Sequence, residues 1–295
     1  MKVLITGGGG FLGAFIVRLL LSSAHAVRMF DVAPRSAVFD RIVGSGAAAD
    51  WITGDITDRQ RVMDAAAGCD AVVHLAGILT PDCKADPVRG AMVNLIGTLH
   101  VFEACLAKGI KKIVYTSSAA VFDPGDLRAQ RPHSQYGAFK LACESSARAY
   151  FVDHGLSSIG FRPFVVYGPG RETGLTAGPT LACRAAARGE AYTIPYRGAA
   201  GLIYVADVAS AYAAALESSD RGAEVFNLGG VIASNDEVVA EIKRQVPGAQ
   251  IKIDGPTASF VPDASHDLPD AAFPHLPKTA LRDGIAATIA FYRGA

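Results

Sequence analysis

The sequence predicts an α/β fold, a doubly wound parallel sheet with a smaller C-terminal lobe. Up to about Tyr167, short apolar runs alternate with longer amphipathic stretches, the pattern of repeated βαβ units. Several runs are apolar throughout rather than alternating, as strands covered on both faces are. After Tyr167 the texture changes, and Gly168, Pro169, Gly170, Gly174, Gly178 and Pro179 break the pattern.

In chain order, 3–6 reads as the first strand and 11–22 as the first helix. Strands at 26–31 and 50–53 come next, then a helix over 58–67 and a strand over 71–75. A long helix at 87–108 leads into a strand at 112–117, and a helix at 135–154 into a strand at 157–164. Beyond the break, helices are expected at 180–188, 208–217, 235–245 and 279–292, with strands at 202–205 and 225–228. The segment 255–277 holds five prolines and reads as loop with short strands. Residues 1–167, rejoined by 202–229, form the expected nucleotide-binding domain; 168–201 and 230–295 form the expected substrate-binding lobe.

Bulk properties exclude several classes of function. The chain has 295 residues, half of them apolar, with 28 basic and 28 acidic residues. Zero net charge and the lack of a basic block argue against a nucleic-acid partner. The opening residues do not read as a signal peptide, and no stretch reads as an uninterrupted membrane span. Five scattered cysteines without a C-x-x-C pair predict buried free thiols in a reducing cytosol, with neither a disulfide framework nor a metal site.

The opening MKVLITGGGGFLGAF carries the first chemistry. Gly7 and Gly10 lie between a strand and a helix that opens at Phe11 and Leu12, and Gly13 falls in the first turn of that helix. Free backbone N–H groups and the positive end of the helix favour a pyrophosphate there. Side chains at Gly7 or Gly10 would block that approach, and Gly13 lets the helix pack close to the strand. Asp31, ending the second strand, suits the two ribose hydroxyls of NAD and repels the extra phosphate of NADP. Arg35 is the one residue nearby that could accept that phosphate, so NAD is favoured over NADP. Asp55 suits either the adenine amino group, with Ile56 on the ring, or a helix N-cap, as does Thr57. Leu75, Ala76 and Gly77 let the backbone lie against the cofactor, whereas His74 reads as a packed strand-end histidine.

Tyr136 and Lys140 stand at i and i+4 of one helix and share a face. A lysine ammonium beside a phenol favours the phenolate, and such a pair exchanges a proton with an alcohol as hydride leaves its carbon. Thr116, Ser117 and Ser118 end the fifth strand on the same sheet edge. Thr116 is expected at the cofactor and Ser117 at the substrate, while Ser118 can steady the reacting oxygen.

These segments together resemble the extended short-chain dehydrogenases/reductases, in their NAD-dependent epimerase/dehydratase branch. The resemblance runs through TGGGGFLG, GDITD, HLAG, VNLIGTLHVFEAC, YTSSAAVF, YGAFK and FRPFVVYGPG, and on through YVADVASAY, FNLGG and TALRDGIAATIAFYR. It implies Tyr136 as acid/base, Lys140 as its partner and a ribose ligand, and Ser118 as donor to the substrate oxygen. Pro163 to Val166, including Val165, match the segment that passes the nicotinamide. Asn94 matches a position near the cofactor, and is equally suited to be a packed amide. Related enzymes commonly form homodimers through the two long helices, which this chain permits.

One departure bears on substrate. Sugar-nucleotide members usually carry an Arg–Asp pair before the YVADV-like segment, where this chain has the uncharged 198–203. Arg171 then becomes the obvious anion contact, for a carboxylate or single phosphate, unless it only caps a surface turn; Arg184, Arg188 and Arg197 are substitutes for the missing clamp. The expected activity is reversible hydride transfer at a secondary alcohol or ketone of a small sugar-derived or hydroxy-acid substrate. A sugar-nucleotide epimerase and a non-catalytic dinucleotide sensor are the alternatives.

Overall fold

β1 (Lys2–Thr6) is buried from Val3 onward and sits at the middle of the fold. It leads through α1 (Phe11–Ser22), β2 (Ala26–Asp31) and α2 (Ala37–Val43) to β3 (Ala49–Thr53). The chain then crosses to the other side of β1. There α3 (Arg59–Ala66), β4 (Ala71–His74), α4 (Thr80–Ala85), α5 (Pro87–Ala91), α6 (Gly97–Lys108), β5 (Lys112–Thr116), α7 (Gln135–His154) and β6 (Ser157–Pro163) follow. The second half contributes β7 (Val165–Tyr167), α8 (Gly178–Arg188), β8 (Tyr192–Ile194), β9 (Ala199–Tyr204), α9 (Val205–Glu217) and β10 (Ala223–Leu228). It ends with β11 (Val231–Ser234), α10 (Asn235–Gln245), β12 (Ile251–Ile253) and α11 (Leu281–Arg293). The computed structural model describes residues 1–219, 222–258 and 266–294.

Seven strands pair in parallel in the order β10-β6-β5-β4-β1-β2-β3. The chain reverses its direction across the sheet between β1 and β4. Such a switch point opens a crevice at the carboxyl ends of the strands, where ligands bind. One face is covered by an apolar layer that includes Phe15 and Ile16 of α1, Phe39 of α2 and Val208 and Tyr212 of α9. The other is covered by Val62 of α3, Phe102 of α6 and Ala147 of α7. A separate core, with Tyr167, Cys183, Tyr196 and Ile285, holds the small sheets β11-β9-β7 and β12-β8 against the helices of the second half.

Several expectations need correction. Residues 202–204 belong to β9 and the three-stranded sheet, while α9 and β10 rejoin the large sheet. The long helix is interrupted by a π-helical turn, Met92–Ile96, between α5 and α6. Over Pro87–Lys108 it is long and apolar enough by length and composition to cross a membrane, contrary to the sequence reading. In this fold it is a layer helix that packs against α3 and α7. The described parts of 255–277 carry an isolated bridge, Arg197 to Thr257, in place of short strands; 259–265 lie outside the described residues. The five cysteines are all free and buried.

Candidate active site

The glycine turn owes its shape to two close approaches. Gly7 has φ +69°, and a Cβ there would lie 2.6 Å from the Ala76 nitrogen. A Cβ on Gly13 would collide with the backbone of Gly8. Gly10 is freer, its nearest neighbour being the Gly7 carbonyl at 3.3 Å. Gly7 is thus constrained by its own positive φ and by the loop after β4. Gly10 is the N-cap of α1 and makes no side-chain cap, so the first N–H groups of the helix lack a side-chain acceptor, and their residues line the cavity.

A cavity of about 860 Å³ runs along this edge of the sheet. Among the predicted cofactor residues, Gly7, Gly10, Phe11, Leu12, Gly13, Asp31, Asp55, Ile56, Leu75, Ala76, Gly77, Thr116, Pro163, Val165 and Val166 line it, together with Ser117, Ser118, Tyr136, Lys140 and Arg171. Asp31 accepts the Gly9 N–H at 2.9 Å and the Ala33 N–H at 3.0 Å. Arg35 is committed elsewhere: it pairs with Asp40 and donates to the Gly44 and Ala47 carbonyls at 2.8 and 3.3 Å. The carboxylate is thus left without a cation to receive a 2′-phosphate. Asp55 accepts from both the N–H and hydroxyl of Thr57 at 2.9 Å, and the N-cap of α3 is Asp58.

Asn94 lies behind the cavity wall. Its carboxamide is fully buried in the π turn and bonds both the N–H (3.2 Å) and the carbonyl (3.1 Å) of Ile78. Its hydrogen bonds are those of a packed amide, and it shapes the cavity wall at Gly77–Ile78. His74 is also structural. Its ring nitrogens meet the hydroxyls of Thr6 at 2.6 Å and Thr98 at 2.9 Å. Burial, with the Lys140 charge second, pushes its pKa down to about 3.

The polar groups of the candidate centre come from β5 and α7. Ser134 caps α7 by accepting the Gly137 N–H, which fixes the first turn bearing Tyr136. Lys140 is buried and donates to the Thr116 carbonyl at 2.8 Å. Its ammonium lies 5.7 Å from the Tyr136 ring centroid. The Tyr136 hydroxyl has no hydrogen-bond partner among the described residues. Ser118 caps a short 3-10 turn and accepts the Ala120 N–H at 3.1 Å, which leaves its own proton to donate. Ser117, expected at the substrate, turns the other way and donates to buried Glu144.

Glu144 forms a forked ion pair with Arg162, at 2.8 and 2.7 Å. Arg162 also reaches Asn227 and Asp267 and lies 5.0 Å from the Phe122 ring centroid. This network was missed in the sequence, although an arginine inside the apolar run SSIGFRP and a glutamate one turn beyond Lys140 were its signals. Arg171 lines the cavity from the side of the glycine turn, its guanidinium carbon 5.8 Å from the Phe11 ring centroid. Arg184 pairs with Glu172 at 3.3 Å, and Arg197 with Asp254 at 3.8 Å.

The residues fit a dinucleotide. The open helix end suits a pyrophosphate, and Asp31 still has lone pairs for ribose hydroxyls. Gly77 borders Lys140, whose nitrogen would lie 3.6 Å from a Cβ at that position.

The profile of the NAD dependent epimerase/dehydratase family matches residues 3–229. The 2-alkyl-3-oxoalkanoate reductase of Stenotrophomonas maltophilia is 33% identical over 58% of this chain, an alignment that spans only 52% of that enzyme. The UDP-glucose 4-epimerase of Azospirillum brasilense is 32% identical over 85% of this chain and 78% of its own length. The crystal structure of Thermus thermophilus UDP-glucose 4-epimerase with NAD superposes over the full length of both chains, with a TM-score of 0.84 and 28% identity. The chain belongs to the NAD dependent epimerase/dehydratase family of extended short-chain dehydrogenases/reductases, and its cofactor is NAD.

Proposed function

We propose that the protein interconverts a secondary alcohol and a ketone on a small sugar-derived or hydroxy-acid substrate, with Ser118, Tyr136 and Lys140 as its centre. One observation carries this reading: an unpartnered phenol, an anchored ammonium and a serine with a free proton open into one cavity with the glycine turn. NAD, when bound, supplies the hydride acceptor, or in reduced form the donor. As the phenolate, Tyr136 takes the alcohol proton; as the phenol, it gives that proton to the ketone oxygen. Lys140, held by its hydrogen bond to the Thr116 carbonyl, favours the phenolate form through its charge. Ser118 donates to the reacting oxygen and offsets its developing charge. Asp31 would hold the adenosine ribose, and the α1 N-terminus the pyrophosphate.

A second reading, a sugar-nucleotide epimerase, is supported by likeness to UDP-glucose 4-epimerases along most of the chain. Against it, β9 bears no charged residue, and Arg184 and Arg197 are already paired. NADH absorbance across a panel of sugar acids, sugars, hydroxy acids and sugar nucleotides separates the two. Stoichiometric NADH release supports net oxidation; epimerised product without release supports the alternative and overturns the first reading.

The same proposal takes 1–167 with 202–229 as the cofactor domain, its strands at 165–167 and 202–204 reaching into the three-stranded sheet, and 168–201 with 230–295 as the lobe that selects substrate. It also takes the protein to be a cytosolic homodimer joined through α5, α6 and α7. Val88 (75% exposed) on α5, Met92 in the π turn that follows it, and Phe151 and Val152 (71%) on α7 provide apolar surface for such a contact. Sedimentation that finds only monomer at micromolar concentration overturns the dimer.

A further inference from the structure

We propose that Arg171 grips the pyrophosphate of NAD, as a cation delivered by the second half of the chain onto the glycine turn. Gly170 leads it there. At φ +90°, a Cβ on Gly170 would meet Val38, Ile42 and Phe11 at 3.1, 3.2 and 3.6 Å, so the backbone lies directly against α1 and α2. Its N–H is tied to the Tyr292 hydroxyl of α11 at 3.0 Å. Gly9, Gly10, Phe11, Gly170 and Glu172 line one small cavity, which fixes the segment beside the turn.

From that base the Arg171 guanidinium reaches over Phe11, the first residue of α1. Among the described residues it makes a single hydrogen bond, at 3.3 Å to Thr176, and its Nε is buried without a partner. A guanidinium carries five donors, and withdrawing it from water without acceptors is unfavourable. An anion in the cavity resolves the deficit.

Charge arithmetic selects which anion. A pyrophosphate carries two negative charges, and a helix N-terminus offers roughly half a positive one. The first turn of α1 has no basic residue. Of the lysines and arginines that line the cavity, Lys140 is bound to Thr116 beside Tyr136, and Arg89 belongs to α5. Of these, Arg171 is the one that reaches the turn, over Phe11, although it also stands within electrostatic reach of Tyr136, and its fork matches phosphate oxygens. The clamp comes from the segment after β7, so release of NAD requires the Arg171 side chain to let go of the pyrophosphate.

Calorimetric titration of NAD, ADP-ribose and adenosine into Arg171→Gln tests this. NAD and ADP-ribose share the pyrophosphate, and their Kd should rise about ten- to hundred-fold, while adenosine binding stays unchanged. Arg171→Lys, which keeps the charge without the fork, should show a smaller loss in the same pattern and serves if the glutamine variant does not fold. Unchanged NAD and ADP-ribose affinity, above all with a raised substrate KM, assigns the arginine to the substrate and overturns the proposal. Hydride transfer does not enter this measurement, so it stands or falls apart from the proposed reaction.

Discussion

Arg162 and Arg171 stand close together in the chain, and the fold treats them in opposite ways. Arg162 is buried with a forked carboxylate, an amide and a second carboxylate around it. Burial pulls its pKa down, but Glu144 and Asp267 together more than offset this and the net shift is upward. Arg171 is desolvated without comparable partners, and its pKa falls. Polar groups that the fold completes serve the architecture; those left incomplete inside a cavity are reserved for ligands. The same division separates His74 and Asn94, both saturated, from Tyr136 and the donating proton of Ser118.

If that division holds, substitutions at open groups change ligand chemistry and those at closed groups change stability. The largest effect is expected at Tyr136→Phe, which should lower kcat about 10²- to 10⁴-fold with NAD affinity retained. Steady-state rates with calorimetry check this, and near-normal turnover would remove Tyr136 from the mechanism. Glu144→Ala leaves the buried Arg162 guanidinium with only the half-exposed Asp267 as counter-charge and should cost about 3 kcal/mol in urea unfolding. The double variant Glu144→Leu/Arg162→Met should regain much of that loss, since an apolar pair needs no partner.

His74 gives a pH signature. Its folded pKa of about 3 lies below the unfolded value of 6.5. Its contribution is therefore fully present above the unfolded pKa and declines as pH falls toward the folded one. Between pH 7 and pH 5 this should cost about 2 kcal/mol, and a His74→Asn variant should lack that part of the slope in paired urea titrations. The smallest effect is at Asp31→Ala, where preference for NAD over NADP should fall about tenfold. Unchanged selectivity would show that Asp31 is not the ribose ligand.

Legibility in the sequence followed local chemistry. α1, α7 and α10 have the bounds expected from their patterns, because their ends are marked: Ser134 and Gly155 bracket α7, and Ser234 with Glu237 forms a capping box on α10. α2 and α4 are too short to show a period, and β8, β11 and β12 owe their existence to pairing with distant partners. The π turn leaves no mark, since Met92–Ile96 are ordinary helix residues. Spacing was enough to bring Ser118, Tyr136 and Lys140 to one cavity. It could not show that Ser117 faces Glu144, or that Gly170 carries Arg171 onto Phe11. Those facts depend on contacts between distant segments.

The order of strands has a consequence for biosynthesis. β10 is the outermost strand beside β6, yet it is made long after the other six. Until residue 228 leaves the ribosome, β6 presents a bare row of backbone donors and acceptors, with Arg162 lacking Asn227. Exposed strand edges invite pairing with other chains. The nascent protein therefore passes through a stage in which most of the nucleotide-binding surface is assembled but its border is adhesive, and a premature stop before β10 should yield aggregate in place of a smaller, functional domain.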